Sequence, residues 1–165
     1  INLSYLQLLD TGLVLFIENT LKNLELSPAS IILELTETYL VTEESFVDET
    51  LNSLKRLGIQ IAMDDFGVGY SSLASLKNTP ADIVKIDKGF VNGIAKDIFN
   101  STFIRSITEL CHDVGKVVVL EGVETKEEYN IVEKAGLDLI QGYYFGKPVT
   151  AELFSSKFSK ATDKK

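Results

Sequence analysis

A chain of 165 residues with 45% hydrophobic content can bury one core and is too short for two ordinary domains. Its 24 acidic and 16 basic residues leave a net charge of -8, which opposes DNA binding and means that a phosphate ligand needs local help from a cation. No apolar run reaches the roughly 18 residues of a membrane span, no signal-like leader is visible, and the single Cys111 has no disulfide partner, so the expectation is a cytoplasmic segment without membrane insertion.

The chain opens on Ile1-Asn2-Leu3-Ser4, a strand-like start that reads as a cut through a larger domain. A helical stripe of Leu13, Ile17, Leu21 and Leu24 follows and stops before Ser27-Pro28. Five apolar runs with polar ends then read as buried parallel strands: Ile31-Ile32-Leu33-Glu34, Ile59 through Asp64, Ile83-Val84-Lys85, Val117 through Glu121, and Leu139-Ile140-Gln141. Between them lie stripes of Val47, Leu51, Leu54 and Leu57, closed by Gly58, and of Phe103, Ile107, Leu110, Cys111 and Val114, closed by Gly115. A further helix is expected over 126–135 before Gly136, and a frayed polar tail over 159–165.

Strand and helix alternate throughout, which implies a parallel sheet covered by helices. Polar residues at every strand's C-terminal end favour a TIM-type (β/α) barrel with its site there. Such a barrel takes about 250 residues and eight strands. The six strands counted here, Asn2-Leu3 included, therefore predict an α/β barrel truncated to about six of eight βα units over 2–158. Missing strands leave open edges, so a second copy, a swapped segment or a retained N-terminal piece is expected to cover the gap.

Glu34, Asp64, Asp65, Glu121 and Glu124 all fall at or just past strand ends, where crowded carboxylates repel and a bound cation relieves the repulsion. Asn2 and Gln141 add amides, while His112 and Cys111 sit on a helix away from the strand ends, so the oxygen-only donors select Mg²⁺, Mn²⁺ or Ca²⁺. Two ions about 3.5–4 Å apart could serve a phosphodiester displacement. Lys85 lies inside an otherwise apolar strand, where a lysine is rare without a partner, and could neutralise phosphoryl charge or orient water. Each acid taken alone reads as a solvated strand end, and Glu124 equally as a cap beside Thr125-Lys126; their recurrence at one end is what points to a site.

The stretch Asp65-Phe66-Gly67-Val68-Gly69-Tyr70-Ser71-Ser72 reads equally as a mobile loop or a tight βα turn. Tyr143, Tyr144 and Phe145 could stack on a base, although packing against the last helix is the plainer reading for at least two of them. Cys111 reads as core filler and His112 as a cation at a helix C-terminus.

Asn2-Leu3-Ser4, Glu34-Leu35-Thr36-Glu37, Asp64-Asp65-Phe66-Gly67-Val68-Gly69-Tyr70-Ser71-Ser72-Leu73, Lys85-Ile86-Asp87, Glu121-Gly122-Val123-Glu124 and Gln141-Gly142-Tyr143 closely resemble the motifs of the EAL family of cyclic-di-GMP phosphodiesterases, in order, from Asn2 to about Pro148. The resemblance implies a modified TIM barrel that hydrolyses cyclic-di-GMP to linear pGpG with two Mg²⁺ or Mn²⁺ ions. By the same resemblance Asn2, Glu34, Asp64, Asp65 and Glu121 are metal ligands, and Lys85 is the lysine that contacts the metal-bound water. Glu124 and Gln141 support the site, Glu121 has a possible second role as base, and Glu37 anchors the loop carrying Phe66, Gly67, Gly69, Tyr70 and Ser71, which in the family links dimerisation to metal occupancy.

A homodimer and sensory or GGDEF domains in the parent protein are further implications. Two departures stand out: Val68 replaces a smaller or hydroxylated residue, and the Glu-Ala-Leu segment that supplies one ligand would lie upstream of Ile1, so these residues alone are expected to be nearly inert. The rival readings are a degenerate EAL domain that binds cyclic-di-GMP as a receptor, and a barrel enzyme that steadies an enolate with Mg²⁺.

Overall fold

A computed structural model describes residues 1–36, 45–68 and 73–158. Five parallel strands form one sheet in sequential order: β1 (Ile32–Thr36), β2 (Gln60–Phe66), β3 (Ile83–Ile86), β4 (Val117–Leu120) and β5 (Leu139–Ile140). The helices are α1 (Tyr5–Leu8), α2 (Leu13–Asn23), α3 (Ser45–Arg56), α4 (Leu73–Asn78), α5 (Ile98–Asp113), α6 (Lys126–Val132) and α7 (Ala151–Phe158). None of the described helices is long and apolar enough to cross a membrane.

Local chemistry sets the helix limits. Asp97 caps α5 by accepting from Phe99 N–H at 2.9 Å, and Thr125 with Glu128 forms a reciprocal capping box on α6. The predicted stops hold, since Gly58, Gly115 and Gly136 all adopt left-handed backbone. On α3 the spacing of Val47, Leu51 and Leu54 puts them on one buried stripe against the sheet, where a fully buried leucine contributes about 1.5–3 kcal/mol.

The two sheet faces differ. Leu33, Leu35, Ile61, Met63, Val84, Ile86, Val118 and Leu120 point at the helices and join the main core, whereas Ala62, Ile83 and Val119 form a separate small cluster on the opposite face. That inner face is open: Ile32 is 37% exposed and Leu139 58%.

Strand register shows why the sheet is barrel-like. Glu34 pairs with Ala62, two residues before Asp64, and Lys85 pairs with Val119, two residues before Glu121, while Ala62 pairs with Ile83 and Val119 with Leu139. The strand-end polar residue thus advances by two on every second strand, or about one per strand, the stagger that closes eight strands with a shear of eight. The sixth expected strand is reduced to a single parallel bridge between Asn2 and Glu34. Around that bridge Glu34 N–H donates to Ile1 O at 2.8 Å and Leu3 N–H to Glu34 O at 2.9 Å, and Ser4 then begins α1 with its own capping box.

The N-terminal ends of the strands carry a device that repeats. Asp82, just before β3, accepts from Ile61 N–H of β2 at 3.0 Å and pairs with Lys55 of α3 at 2.7 Å. Asp138, just before β5, accepts from Val118 N–H of β4 at 2.7 Å and takes a second contact from His112 of α5 at 2.9 Å. Each carboxylate satisfies a strand-start N–H that the ladder leaves open. Lys116, buried nearby, donates to the carbonyls of Thr79 and Ala81 at 3.0 and 2.6 Å.

The Val118 N–H, followed by His112, holds the Asp138 carboxyl below its ordinary value of 3.8. A depressed carboxylate pKa adds stability that is fully present above the unfolded value and is lost as pH falls through the folded one. Asp138→Asn is therefore expected to lower the melting temperature at neutral pH, with the gap to the parent closing below about pH 4. Melting curves of both chains across that range test it; a gap that stayed constant with pH would refute the charge-based account.

Candidate metal centre

Side chains alternate across a strand, so a residue two positions before a strand-end polar group shares its face. The sheet accordingly presents Ile32 below Glu34, Ala62 below Asp64, Ile83 below Lys85, Val119 below Glu121 and Leu139 below Gln141. The five apolar residues, together with Glu34, Lys85 and Gln141, line a cavity of about 300 Å³ on the inner face.

Lys85 stands at the centre of the polar layer and is 7% exposed. Its Nζ lies 2.7 Å from Glu121 Oε1, 2.9 Å from Asp64 Oδ1 and 3.0 Å from Glu34 Oε1. Burial by itself would lower the lysine pKa, but the contacts with Glu121, Asp64 and Glu34 together outweigh it and hold the group above the ordinary lysine range. The side chain is an ammonium ion. Asp64 Oδ1 is buried, and its approach to Lys85 is an ion pair without hydrogen-bond geometry, so the atom has no hydrogen-bond donor.

A register irregularity between Met63 and Phe66 sets Asp64 and Asp65 together opposite Lys85, two residues against one. Asp65 takes a left-handed φ of 55°, an uncommon conformation in which aspartate is among the better-tolerated residues. Partial burial, then the charges of Asp64 and Asp87, raise its carboxyl pKa against the pull of Lys85 and Lys88. The residue is exposed, so water screens much of this effect.

The remaining expected site residues fall as follows. Asn2 is bridged to Glu34 and so stands level with it, while Gln141 stands level with Glu121 at the end of β5. Glu124 is exposed; its N–H donates to Glu128 Oε2, and the helix cap beside it is Thr125, not Glu124. Asp65 and Phe66, which open the stretch read from sequence as a mobile loop or a tight βα turn, are the last two residues of β2, and Phe66 is buried. Gly67 follows with φ 100°, and any Cβ there would run into the Phe90 ring. Glu37, Gly69, Tyr70 and Ser71 lie outside the described residues.

Tyr144 and Phe145 pack on Tyr129 of α6, with ring centroids 5.3 and 5.8 Å away, Lys147 lies over the Tyr143 ring, and Tyr143 and Phe145 share a cavity with Phe154 and Phe158 of the last helix. Cys111 is buried, as expected, and His112 sits in the last turn of α5.

Among the described residues no three acidic side chains form a ready ligand cage, because the Lys85 ammonium fills the point on which Glu34, Asp64 and Glu121 converge. Sequence reasoning passed over Asp87, which accepts from Gly89 N–H at 2.7 Å and contributes charge at Asp65. Its signal was present: an acid two positions past a buried strand lysine.

Residues 1–148 match the EAL domain family. The bifunctional diguanylate cyclase/cyclic di-GMP phosphodiesterase MucR of Pseudomonas aeruginosa is 38% identical over 152 residues, covering 92% of this chain and 22% of that protein. The chain thus spans about a fifth of the length of that curated relative. Among solved structures, a PaMucR phosphodiesterase in complex with c-di-GMP superposes with a TM-score of 0.85 at 37% identity, covering 93% of this chain and 62% of that one. Klebsiella pneumoniae BlrP1, as a manganese and cyclic-di-GMP complex, superposes at 0.84 with 33% identity, covering 90% of this chain and 38% of that one. By its match over residues 1–148, the chain belongs to the EAL domain family.

Proposed function

We propose that the protein containing this chain hydrolyses cyclic-di-GMP to linear pGpG with the help of divalent metal ions. One observation carries the reading: Glu34, Asp64 and Glu121, from the C-terminal ends of three strands, bring their carboxylates together around the Lys85 ammonium. The residues fit a hard cation, since every available donor is an oxygen and Asp64 Oδ1 is buried without a hydrogen bond. The MucR and BlrP1 complexes, with c-di-GMP and with manganese, support the same class of ligand.

Asn2, Glu34, Asp64, Asp65 and Glu121 would hold Mg²⁺ or Mn²⁺. When bound, the ions polarise the phosphodiester oxygens and make water more nucleophilic. Lys85, a donor with no acceptor capacity, steadies charge that grows on the phosphoryl oxygens. Glu121, with Glu124 and Gln141 from the last two strand ends, orients the water and the substrate. In the net step water adds to one phosphorus, the bond to the 3′ oxygen breaks, and that oxygen takes the proton. Phe66, Gly67, Gly69, Tyr70 and Ser71 belong to the regulatory segment after the metal pair in this reading, with Glu37 as its anchor. A cytoplasmic homodimer with sensory or GGDEF domains completes the reading.

Hydrolysis of cyclic-di-GMP by the full-length parent, followed by chromatography with Mg²⁺, with Mn²⁺ and with a chelator, tests it. Conversion to pGpG in either metal and none in chelator is expected. Tight binding without turnover would replace the enzyme reading with a receptor.

A further inference from the structure

The carboxylates of Glu34, Asp64 and Glu121 belong to three strands, and with their charges uncompensated they would push those strand ends apart. Among the described residues Lys85 is the one cation in ion-pair contact with any of them, and it touches all three within 3.0 Å. An ammonium has three N–H donors and here faces three carboxylate oxygens, so its charge is shared between β1, β2 and β4. Its position on β3 makes this possible: Lys85 lies opposite the Asp64-Asp65 bulge, and its long unbranched stem starts level with Val119 and reaches Glu121, two residues further along β4's direction.

We propose that Lys85 is a resident counter-ion, holding the carboxylates of the metal centre together when no divalent ion is bound and yielding at least one of them when an ion enters. This rests on the metal-site reading above and adds to it a determinant of metal affinity. An entering ion competes with a charge already in place, so affinity reflects the difference between two cations and not the carboxylates alone. The metal-free site keeps its shape for the same reason.

Lys85→Met keeps the stem and removes the charge. The metal-free variant is expected to melt roughly 3 °C or more below the parent chain. Saturating Mn²⁺ should erase that deficit. Mn²⁺ affinity, read from the electron paramagnetic resonance of the free ion, should rise about tenfold or more as the competing charge disappears.

In the parent chain, the Lys85 Nζ resonance should move on Mg²⁺ titration while that of Lys116, buried at the opposite strand ends, stays in place as an internal reference. Mn²⁺ binding that is no tighter in a folded Lys85→Met chain would overturn the inference and leave the metal site standing. Absence of Mn²⁺ binding in both chains would overturn the metal site and the inference together. If Lys85→Met unfolds without metal, the Mg²⁺ titration of the parent decides alone: a shifted Lys85 resonance supports the displacement and an unmoved one refutes it.

Discussion

Asp64→Asn in the parent protein is expected to cut cyclic-di-GMP turnover at least about a hundredfold, roughly 2.7 kcal/mol in barrier, while leaving the fold intact. The substitution preserves shape and removes one charge from a cluster in which three carboxylates share one ammonium. An amide oxygen is a weaker ligand for a hard cation than a carboxylate, so the chemistry suffers. Stability should not, because Asp64 Oδ1 accepts no hydrogen bond that the amide would forfeit and the remaining pair of acids repel less. The melting temperature is therefore expected to stay level or rise slightly, the usual opposition between a functional charge cluster and folding. Turnover and melting are measured on the same preparation. Retained turnover would remove Asp64 from the metal centre, and a large drop in melting temperature would give it a structural role instead.

Gly142→Ala should act in the opposite way, destroying the fold through steric conflict without touching a charge. A Cβ at this position would meet the Val123 backbone, clashing with its carbonyl oxygen and approaching its nitrogen at 2.5 Å and its carbonyl carbon at 2.6 Å. Those atoms cannot step aside. Val123 N–H donates to Gln141 O at 3.2 Å, and Tyr144 N–H donates to Val123 O at 3.0 Å, so both segments are sewn together where the methyl would go. A loss of about 3 kcal/mol or more is expected, a large share of the stability of a domain this size. Gly146→Ala, four residues on and with nothing within 4 Å of its Cβ, is the matched control and should shift the denaturation midpoint little. Equal midpoints for the two variants would show that the backbone there yields more easily than its hydrogen bonds imply.

Several elements were legible without coordinates. The stripe Val47, Leu51, Leu54 and the stop at Gly58 define α3 by spacing alone, and the run Val117 through Leu120 carries the β-branched, uninterrupted character of a strand buried in a parallel sheet. The burial of Lys85 was also readable as a demand for partners, since a lysine in an apolar strand needs compensation. Which partners was not readable, because Glu34, Asp64 and Glu121 come from three separate strands.

Other features carried no recognisable local signal. Asp82 and Asp138 look like ordinary acids before strands, and each finds its backbone N–H about 20 residues earlier in the chain. Tyr144 and Phe145 found Tyr129 on α6, a neighbour that aromatic composition could not identify.

Local patterns in the chain were enough for the five strands, for α2, α3, α5 and α6, for their βα order and for the acid, amide and ammonium chemistry at the strand ends, because periodicity, capping and side-chain type are properties of short stretches; the short α1 and α4 left no such stripe. The tertiary structure alone decided that a bulge sets Asp64 and Asp65 together against β3 and that a two-residue stagger brings Glu34 and Glu121 within 3.0 Å of one ammonium. Those outcomes depend on register between strands, which arises from sheet twist and from packing against the helices, and no local pattern encodes it.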